Sequence, residues 1–107
     1  MAEKTIMLVC SAGMSTSLLV TKMEKAAAEK GLDAEIFAVS ASEADATIQS
    51  KHPDVVMLGP QVRFMKDQFE EKLAGTGIGV EVINMQDYGM MNGEKVLNHA
   101  VELIESK

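Results

Sequence analysis

One stretch of the chain, CSAGMSTS at residues 10–17, has the residue types of a site for a phosphate group. Gly13 permits backbone conformations that other residues resist, and its small neighbours let several backbone N–H groups point at one place. The hydroxyl side chains add donors, and the helix predicted just beyond adds unpaired N–H groups and the positive end of a dipole. The residues expected to bind phosphate are Ser11, Ala12, Gly13, Met14, Ser15, Thr16 and Ser17.

Cys10, the only cysteine of the chain, begins this stretch and is the candidate nucleophile. A helix N-terminus favours the thiolate over the thiol, and the thiolate is the form that attacks. Against a phosphate-binding loop it can bond to phosphorus and form a phosphocysteine whose charge the loop amides stabilise. The competing interpretation is an inert core residue at the end of a buried strand, because free cysteines are commonly buried. The small and hydroxyl residues that follow favour the nucleophile.

The hydropathy pattern predicts four units of strand and helix that position this loop. Continuous apolar runs at 5–10 and 54–59 indicate central parallel strands. Apolar and polar residues alternate at 33–39 and 79–85, as they do in edge strands. Helices are predicted at 15–31, 40–51, 61–75 and 92–106, with Ser15 or a near neighbour as the first cap and Gly31 as the first stop. The segment Asp87-Tyr88-Gly89 is predicted to be a polar turn.

This alternation predicts an α/β fold: one domain over residues 1–107, with a four-stranded parallel sheet of order 2-1-3-4 and helices on both faces. A ligand site in such a sheet lies beyond the carboxyl ends of the strands, where the winding direction reverses. The Cys10 loop and Gly59-Pro60-Gln61 flank that crevice. Gln61 is therefore a candidate site residue, with an ordinary helix start as the alternative.

Composition argues against several other kinds of site and partner. A formal net charge of −6 repels a nucleic-acid backbone, and a single cysteine cannot form an internal disulfide. No spacing of potential ligands suggests a metal site, no cofactor is expected, and the isolated His52 and His99 are expected to be structural or exposed. The N-terminal apolar run is too short for a signal peptide or a membrane span, so we expect a cytoplasmic protein without direct membrane insertion.

The segments CSAGMSTSLLV (10–20) and DVVMLGPQV (54–62), with the four strand-helix units, resemble a known family over nearly the whole chain. It is the enzyme IIB component of the lactose/cellobiose (N,N'-diacetylchitobiose) class of the phosphoenolpyruvate-dependent sugar phosphotransferase system. The resemblance implies that Cys10 accepts a phosphoryl group from a phosphohistidine of a IIA protein. It also implies that Cys10 passes the group to a disaccharide of cellobiose or chitobiose type bound by the membrane permease IIC, and that Ser11 to Ser17 form the phosphate loop.

A carrier that docks two partners in turn through one face is expected to be a monomer with exposed apolar residues around its loop. Met14, Leu18 and Phe64 are candidates for that contact by their positions, although core burial is the expected fate of Leu18.

A second family shares this geometry and gives the alternative function. Low-molecular-weight tyrosine phosphatases and some arsenate reductases carry a loop of the form C-x5-R-[ST] on a similar sheet. Thr16 stands here where the arginine belongs, and a hydroxyl cannot replace a bidentate, permanently charged guanidinium. The missing arginine favours a carrier, while Asp87 lies roughly where such a phosphatase has its general acid. Whether Gln61, Asp87 or Tyr88 assists transfer stays open. A third possible function, beside the carrier and the phosphatase, is a binding module with an inert cysteine.

Overall fold

The computed structural model describes residues 4–10 and 14–106, without the side chains of residues 14–16. Four strands alternate with helices along the chain. The strands are β1 (Lys4–Cys10), β2 (Ala34–Ser40), β3 (Val55–Leu58) and β4 (Gly79–Val82). The α-helices are α1 (Met14–Glu29), α2 (Ala44–Lys51), α3 (Lys66–Lys72), α4 (Met85–Gly89) and α5 (Gly93–Glu105). Single 3-10 segments, Ala41–Glu43 and Pro60–Met65, precede α2 and α3.

The strands form one parallel sheet of order β2-β1-β3-β4, as the sequence predicts. The central strands β1 and β3 are the continuous apolar runs, and the residues of β3 are buried throughout. Cys10 at the end of β1 pairs in register with Ser40 of β2, while Val9 pairs with Leu58 of β3. The carboxyl ends of the three strands therefore meet at one edge of the sheet.

Alternating side chains of the central strands fill two cores, one on each face of the sheet. On one face, Ile6, Leu8 and Met57 pack with α1 and α5. On the other, Met7, Val9, Val56 and Leu58 pack with Ile48 of α2 and Phe69 of α3. These two layers confirm the predicted placement of helices on both faces.

A close crossing of α1 and α5 completes the first of these layers. Asn92 caps α5, because its side chain accepts a hydrogen bond from the Lys95 backbone N–H at 3.1 Å. Gly93 then lies against the backbone of α1, where a Cβ atom would be 2.6 Å from the carbonyl carbon of Lys22 and 2.7 Å from the nitrogen of Met23. Only glycine fits at this crossing without moving a helix.

An ion pair at the edge strand β4 joins it to α3. Lys66 Nζ lies 3.1 Å from Glu81 Oε1, which also accepts a hydrogen bond from the Val82 backbone N–H at 3.0 Å. Partial burial raises the pKa of Glu81, but the Val82 amide, Lys66 and the nearby His99 outweigh it and hold that pKa below its usual value. The hydrogen bond and charge of Glu81 raise the pKa of Lys66.

Three local predictions differ from the structure. The predicted helix 61–75 is a 3-10 segment followed by the short α3, because Pro60 starts a tight turn and Val62 departs from helical geometry with φ −119° and ψ 22°. The predicted polar turn Asp87-Tyr88-Gly89 belongs to α4, whose first N–H groups Asn84 caps. The predicted strand 79–85 ends at Val82, and Met85 already begins α4. The predicted cap of α1, Ser15 or a near neighbour, is not tested: Ser15 lies within α1, and residues 11–13 fall outside the described residues.

The ends of two helices follow the prediction closely. Gly31, with φ +68°, takes the left-handed conformation just after α1, and α5 covers all but the outermost residues of the predicted 92–106. Among the described helices, none is long and apolar enough to cross a membrane.

Candidate functional site

Cys10 lies at the carboxyl edge of the sheet, between the two strands that β1 pairs with. Its residue is 3% exposed, and its Sγ lies 3.8 Å from the carbonyl oxygen of Val39, to which the thiol donates a weak hydrogen bond. Four residues farther along the chain, Met14 begins the 16-residue helix α1. The thiol therefore stands near a helix N-terminus, at the mouth of the crevice that the strand order predicts.

The predicted phosphate loop is described only in part. Ser11, Ala12 and Gly13 lie outside the described residues, as do the side chains of Met14, Ser15 and Thr16. The backbone of residues 14–17 forms the first turn of α1, and Ser17 is exposed. No acidic residue occurs in that turn, so its N–H groups and dipole have no carboxylate of their own segment to compete with an anion.

Gly59 and Gln61 form the wall of the crevice beyond β3. The Gly59 N–H donates to the Val9 carbonyl oxygen at 2.8 Å, which continues the pairing of β1 and β3 past Leu58. A Cβ atom on Gly59 would lie 3.1 Å from Gln61 Oε1, 3.3 Å from the Val9 carbonyl oxygen and 3.8 Å from Cys10 Cβ. The Gln61 side chain thus folds back over Gly59, and the missing Cβ leaves room for it.

Tyr88 reaches the same wall from α4. Gln61 Nε2 donates to the Tyr88 hydroxyl oxygen at 3.4 Å, and the residue Tyr88 is only 9% exposed. The structure therefore brings Gln61 and Tyr88 into contact at the wall of the crevice. Asp87 is half-buried on the same short helix, where its carbonyl oxygen accepts a hydrogen bond from the Asn92 N–H at 2.8 Å.

The end of β2 supplies polar groups that sequence reasoning missed. Ser40, the register partner of Cys10, has its Oγ 3.0 Å from Ser42 Oγ and donates to Glu43 Oε1 at 3.1 Å. Only the strand register brings Ser40 beside Cys10, so the sequence contains no local signal for this neighbour.

Neither histidine belongs to the strand ends or segments that form the crevice. His52 is exposed just after α2 and precedes the amino end of β3, which is the opposite edge of the sheet from Cys10. His99 is half-buried in α5, where its charge helps to lower the pKa of Glu81. Over the described parts of the chain there is no cluster of three or more metal-ligating side chains.

Three large apolar side chains are exposed in segments that begin at the carboxyl edge. Leu18 of α1 is 51% exposed, Phe64 of the segment after β3 is 75% exposed, and Met85 at the start of α4 is 60% exposed. We call these three residues the apolar rim. Phe64 matches its predicted exposure, whereas the expected burial of Leu18 is wrong, because α1 buries Leu19 and Met23 and so turns Leu18 outward.

Comparison with known proteins decides the family. The family model described as the PTS system, lactose/cellobiose specific IIB subunit, matches residues 5–99. The chain belongs to this family. IIB subunits of the sugar phosphotransferase system are phosphotransferases, and this chain is a sugar-specific IIB component of the cellobiose/lactose type.

Individual IIB components are similar to this chain over almost its full length. The galactose-specific EIIB component of Lactococcus lactis subsp. cremoris (strain MG1363) is 56% identical, with 97% of this chain and 99% of that protein covered. The cellobiose-specific EIIB component of Lactococcus lactis subsp. lactis (strain IL1403) is 55% identical over the same shares. The oligo-beta-mannoside-specific EIIB component of Bacillus subtilis (strain 168) is 44% identical, covering 94% of this chain and 96% of that one.

Solved IIB structures share the fold. The solution structure of the cellobiose-specific IIB component from Borrelia burgdorferi has a TM-score of 0.78 and 45% identity, and covers 97% of this chain and 94% of that one. The lactose-specific IIB domain from Streptococcus pneumoniae has a TM-score of 0.79 at 16% identity, with coverage of 94% and 96%. At this low identity, the comparison with the Streptococcus pneumoniae domain supports the shared fold alone.

Proposed function

We propose that this IIB component carries a phosphoryl group on Cys10 between a IIA protein and a sugar bound by the IIC permease. The observation that supports this most directly is the position of Cys10. The chain belongs to this family, and Cys10 is its sole cysteine. Cys10 ends a central strand beside the N-terminus of α1. A helix N-terminus stabilises negative charge, so this position favours both the attacking thiolate and the phosphocysteine that it forms.

Each transfer exchanges one bond to phosphorus for another. In the first, the S–P bond of Cys10 forms as the N–P bond of the IIA phosphohistidine breaks, and the thiol proton balances the one taken up by the released imidazole. In the second, a sugar hydroxyl attacks phosphorus, its proton is released, and the Cys10 sulfur leaves and regains a proton. Such transfers depend mainly on in-line positioning and on fixed donors for the charged oxygens.

The residues around the thiol suit a carrier more than a hydrolase. Cys10 is nearly inaccessible, so water has poor access to a phosphocysteine formed there. Thr16 replaces the arginine with which the related phosphatases bind a free phosphate ester. We therefore expect the phosphoryl group to wait on Cys10 until a partner removes it.

We propose that IIA and IIC dock in turn on the apolar rim, through a modest interface that surrounds the loop. In this proposal the chain acts as a single cytoplasmic domain and as a monomer, since one face serves both partners. The relatives named for cellobiose and for an oligo-beta-mannoside support a β-linked sugar of the cellobiose or chitobiose type as the final acceptor.

Phosphorylation of the purified protein tests the carrier. The wild type, Cys10→Ser and Cys10→Ala are incubated with phosphoenolpyruvate, the general phosphotransferase proteins and IIA, and followed by intact mass and phosphorus NMR. We expect one phosphoryl group per wild-type chain, mapped to Cys10, and none on either variant, because hydroxyl and methyl groups do not replace a thiolate nucleophile.

Ser50→Ala, at an exposed serine of α2, is the matched control and should be phosphorylated like the wild type. Phosphorylation of Cys10→Ala would disprove the carrier mechanism. Rapid hydrolysis of an aryl phosphate by the wild type would instead support the phosphatase alternative.

A further inference from the structure

The strand β4 directs hydrogen-bonding groups of its backbone away from the sheet. The Ile83 N–H, just after this strand, donates toward β3, to the Leu58 carbonyl oxygen at 2.8 Å. Successive residues of a strand turn their N–H and C=O groups to opposite sides, so those of Val80 and Val82 point away from β3. β4 is the last strand in the order that the described residues form. Its outer side is therefore an open edge, where another strand can pair.

Glu81 and Lys66 meet at this open edge. Val80 and Val82 pack into the core on the α3 side, so the side chain of Glu81 between them starts on the opposite face of the sheet. Glu81 Oε1 nevertheless accepts a hydrogen bond from the outward-pointing Val82 N–H at 3.0 Å. The same oxygen lies 3.1 Å from Nζ of Lys66, the first residue of α3. The carboxylate thus reaches the edge from one face of the sheet, and the lysine reaches it from the other.

A second copy of β4 is the strand that this edge fits, because its outward groups are the same and a two-fold axis lets them match each other. Antiparallel pairing about an axis at Glu81 brings Val80 of each copy opposite Val82 of the other. The N–H and C=O groups of these opposite residues can then exchange hydrogen bonds on both sides of the axis.

The same pairing places Glu81 of one copy directly opposite Glu81 of the other. Residues in such a pair have Cα atoms about 4.5 Å apart, and like charges there are destabilising. Partial burial raises the pKa of Glu81, but the Val82 amide, Lys66 and His99 hold it below its usual value, so the carboxylate is charged at neutral pH. Glu81 therefore opposes the pairing in two ways: it occupies the Val82 N–H, and it repels its own copy.

We infer that the open edge of β4 is a self-pairing surface of this chain, and that Glu81, held at the edge by Lys66, keeps this surface closed. Loss of the Glu81 carboxylate lets two copies join their sheets through β4. The crevice at Cys10 is not part of the surface, because β3 separates β4 from β1. The inference does not depend on phosphorylation of Cys10.

Sedimentation equilibrium over a range of protein concentrations tests this inference. The wild type should sediment as a monomer. Glu81→Val should raise the association constant at least about tenfold above the limit set by the wild type, because it frees the Val82 N–H of each copy and removes the like charges. Glu81→Gln keeps an acceptor for the Val82 N–H and loses only the charge, so it should associate more than the wild type and less than Glu81→Val.

Glu70→Val, at an exposed glutamate of α3, is the matched control. It removes the same charge and adds the same side chain but leaves the edge covered, so it should stay a monomer. Thermal unfolding of every variant checks that it is folded.

NMR locates the contact between the copies. As Glu81→Val associates, the backbone amide resonances of Val80 and Val82 should shift and their hydrogens should exchange with solvent more slowly. In a mixture of labelled and unlabelled chains, NOEs between chains should join β4 of one copy to β4 of the other.

Several results would overturn the inference. It is wrong if the wild type already pairs through β4, if folded Glu81→Val stays a monomer, or if Glu70→Val associates as strongly as Glu81→Val. It is also wrong if the NOEs between chains lie outside β4. If Glu81→Val does not fold, an association constant of Glu81→Gln equal to that of the wild type overturns it.

Discussion

Gly59 leaves space at the crevice for the Gln61 side chain, for the Val9 carbonyl oxygen and for Cys10. At φ −63° and ψ 154° its backbone suits any residue, and the reason for glycine is therefore space rather than conformation. The Val9 carbonyl that a Cβ would meet at 3.3 Å belongs to the central strand and cannot withdraw, whereas the Gln61 amide at 3.1 Å can.

We predict that Gly59→Ala displaces Gln61 and slows phosphorylation of Cys10 several-fold, while the free energy of unfolding changes by less than about 1 kcal/mol. The added contact with Val9 is unfavourable, but alanine also restricts the unfolded chain, and the two effects oppose each other. Stopped-flow transfer from phosphorylated IIA and chemical denaturation measure the two quantities.

Gly79→Ala is the control for this prediction, because a Cβ there would meet only Val55 and Leu103 side chains, at 3.6 and 4.0 Å. It should leave the transfer rate unchanged. An unchanged rate in Gly59→Ala as well would mean that the space at Gly59 and the position of Gln61 are not needed for transfer.

Sequence predicts some residues of the site and not others, and the difference has a physical cause. Cys10 and Gln61 follow apolar strands directly, so the rule for parallel sheets places them at one edge. Ser40 is beside Cys10 only through the register of β1 with β2, which a hydropathy pattern does not specify. The residue type of Tyr88 gives no sign that its hydroxyl meets Gln61, since α4 depends on the Asn84 cap and on tertiary burial of the ring.

At the scale of elements, the packing of α5 on α1 determines how the first layer covers the sheet. The order of strands and the faces of the long helices follow from periodicity, and the structure confirms them. Helix boundaries near Pro60 and Asn84 do not follow the apolar spacing, because proline geometry and side-chain capping override it there.

We predict that Gly93→Ala destabilises the protein by about 2 kcal/mol, because its Cβ would meet α1 backbone that can move only with the whole helix. Thermal and chemical unfolding measure the loss.

Gly89→Ala is the matched control for Gly93→Ala. It adds a Cβ to a helical glycine with nothing within 4 Å, and should leave stability unchanged or raise it by up to about 1 kcal/mol. Equal stability of the two variants would show that α1 and α5 can move apart with little loss of free energy of unfolding.

At the scale of the whole molecule, the apolar rim is exposed on a protein whose net charge is negative. The chain has a formal net charge of −6, yet the rim residues Leu18, Phe64 and Met85 are more than half exposed. Exposed apolar side chains around a recessed reactive group are typical of a docking surface, where aromatic residues contribute most to affinity.

We predict that Phe64→Ala raises the KM for phosphorylated IIA about tenfold and leaves kcat and stability nearly unchanged, because it removes contact area without touching the thiol. Steady-state phosphorylation at varied IIA concentration gives both constants.

Met90→Ala is the control for Phe64→Ala. Met90 is 70% exposed but lines a groove of about 400 Å³ with α1 residues such as Lys22 and Lys25, farther from the start of that helix. It should leave KM unchanged. A fall in kcat alone for Phe64→Ala would place this residue in the chemistry instead of in docking.

The strand order also dictates how the site comes together as the chain is synthesised. With order β2-β1-β3-β4, each new strand can add to an exposed edge of the sheet already made, and none has to insert between two others. Cys10 emerges in the first strand, but Gly59 and Gln61 follow only after β3, and Tyr88 only after β4. The nascent chain therefore has its thiol long before it has the residues that form the wall of the crevice.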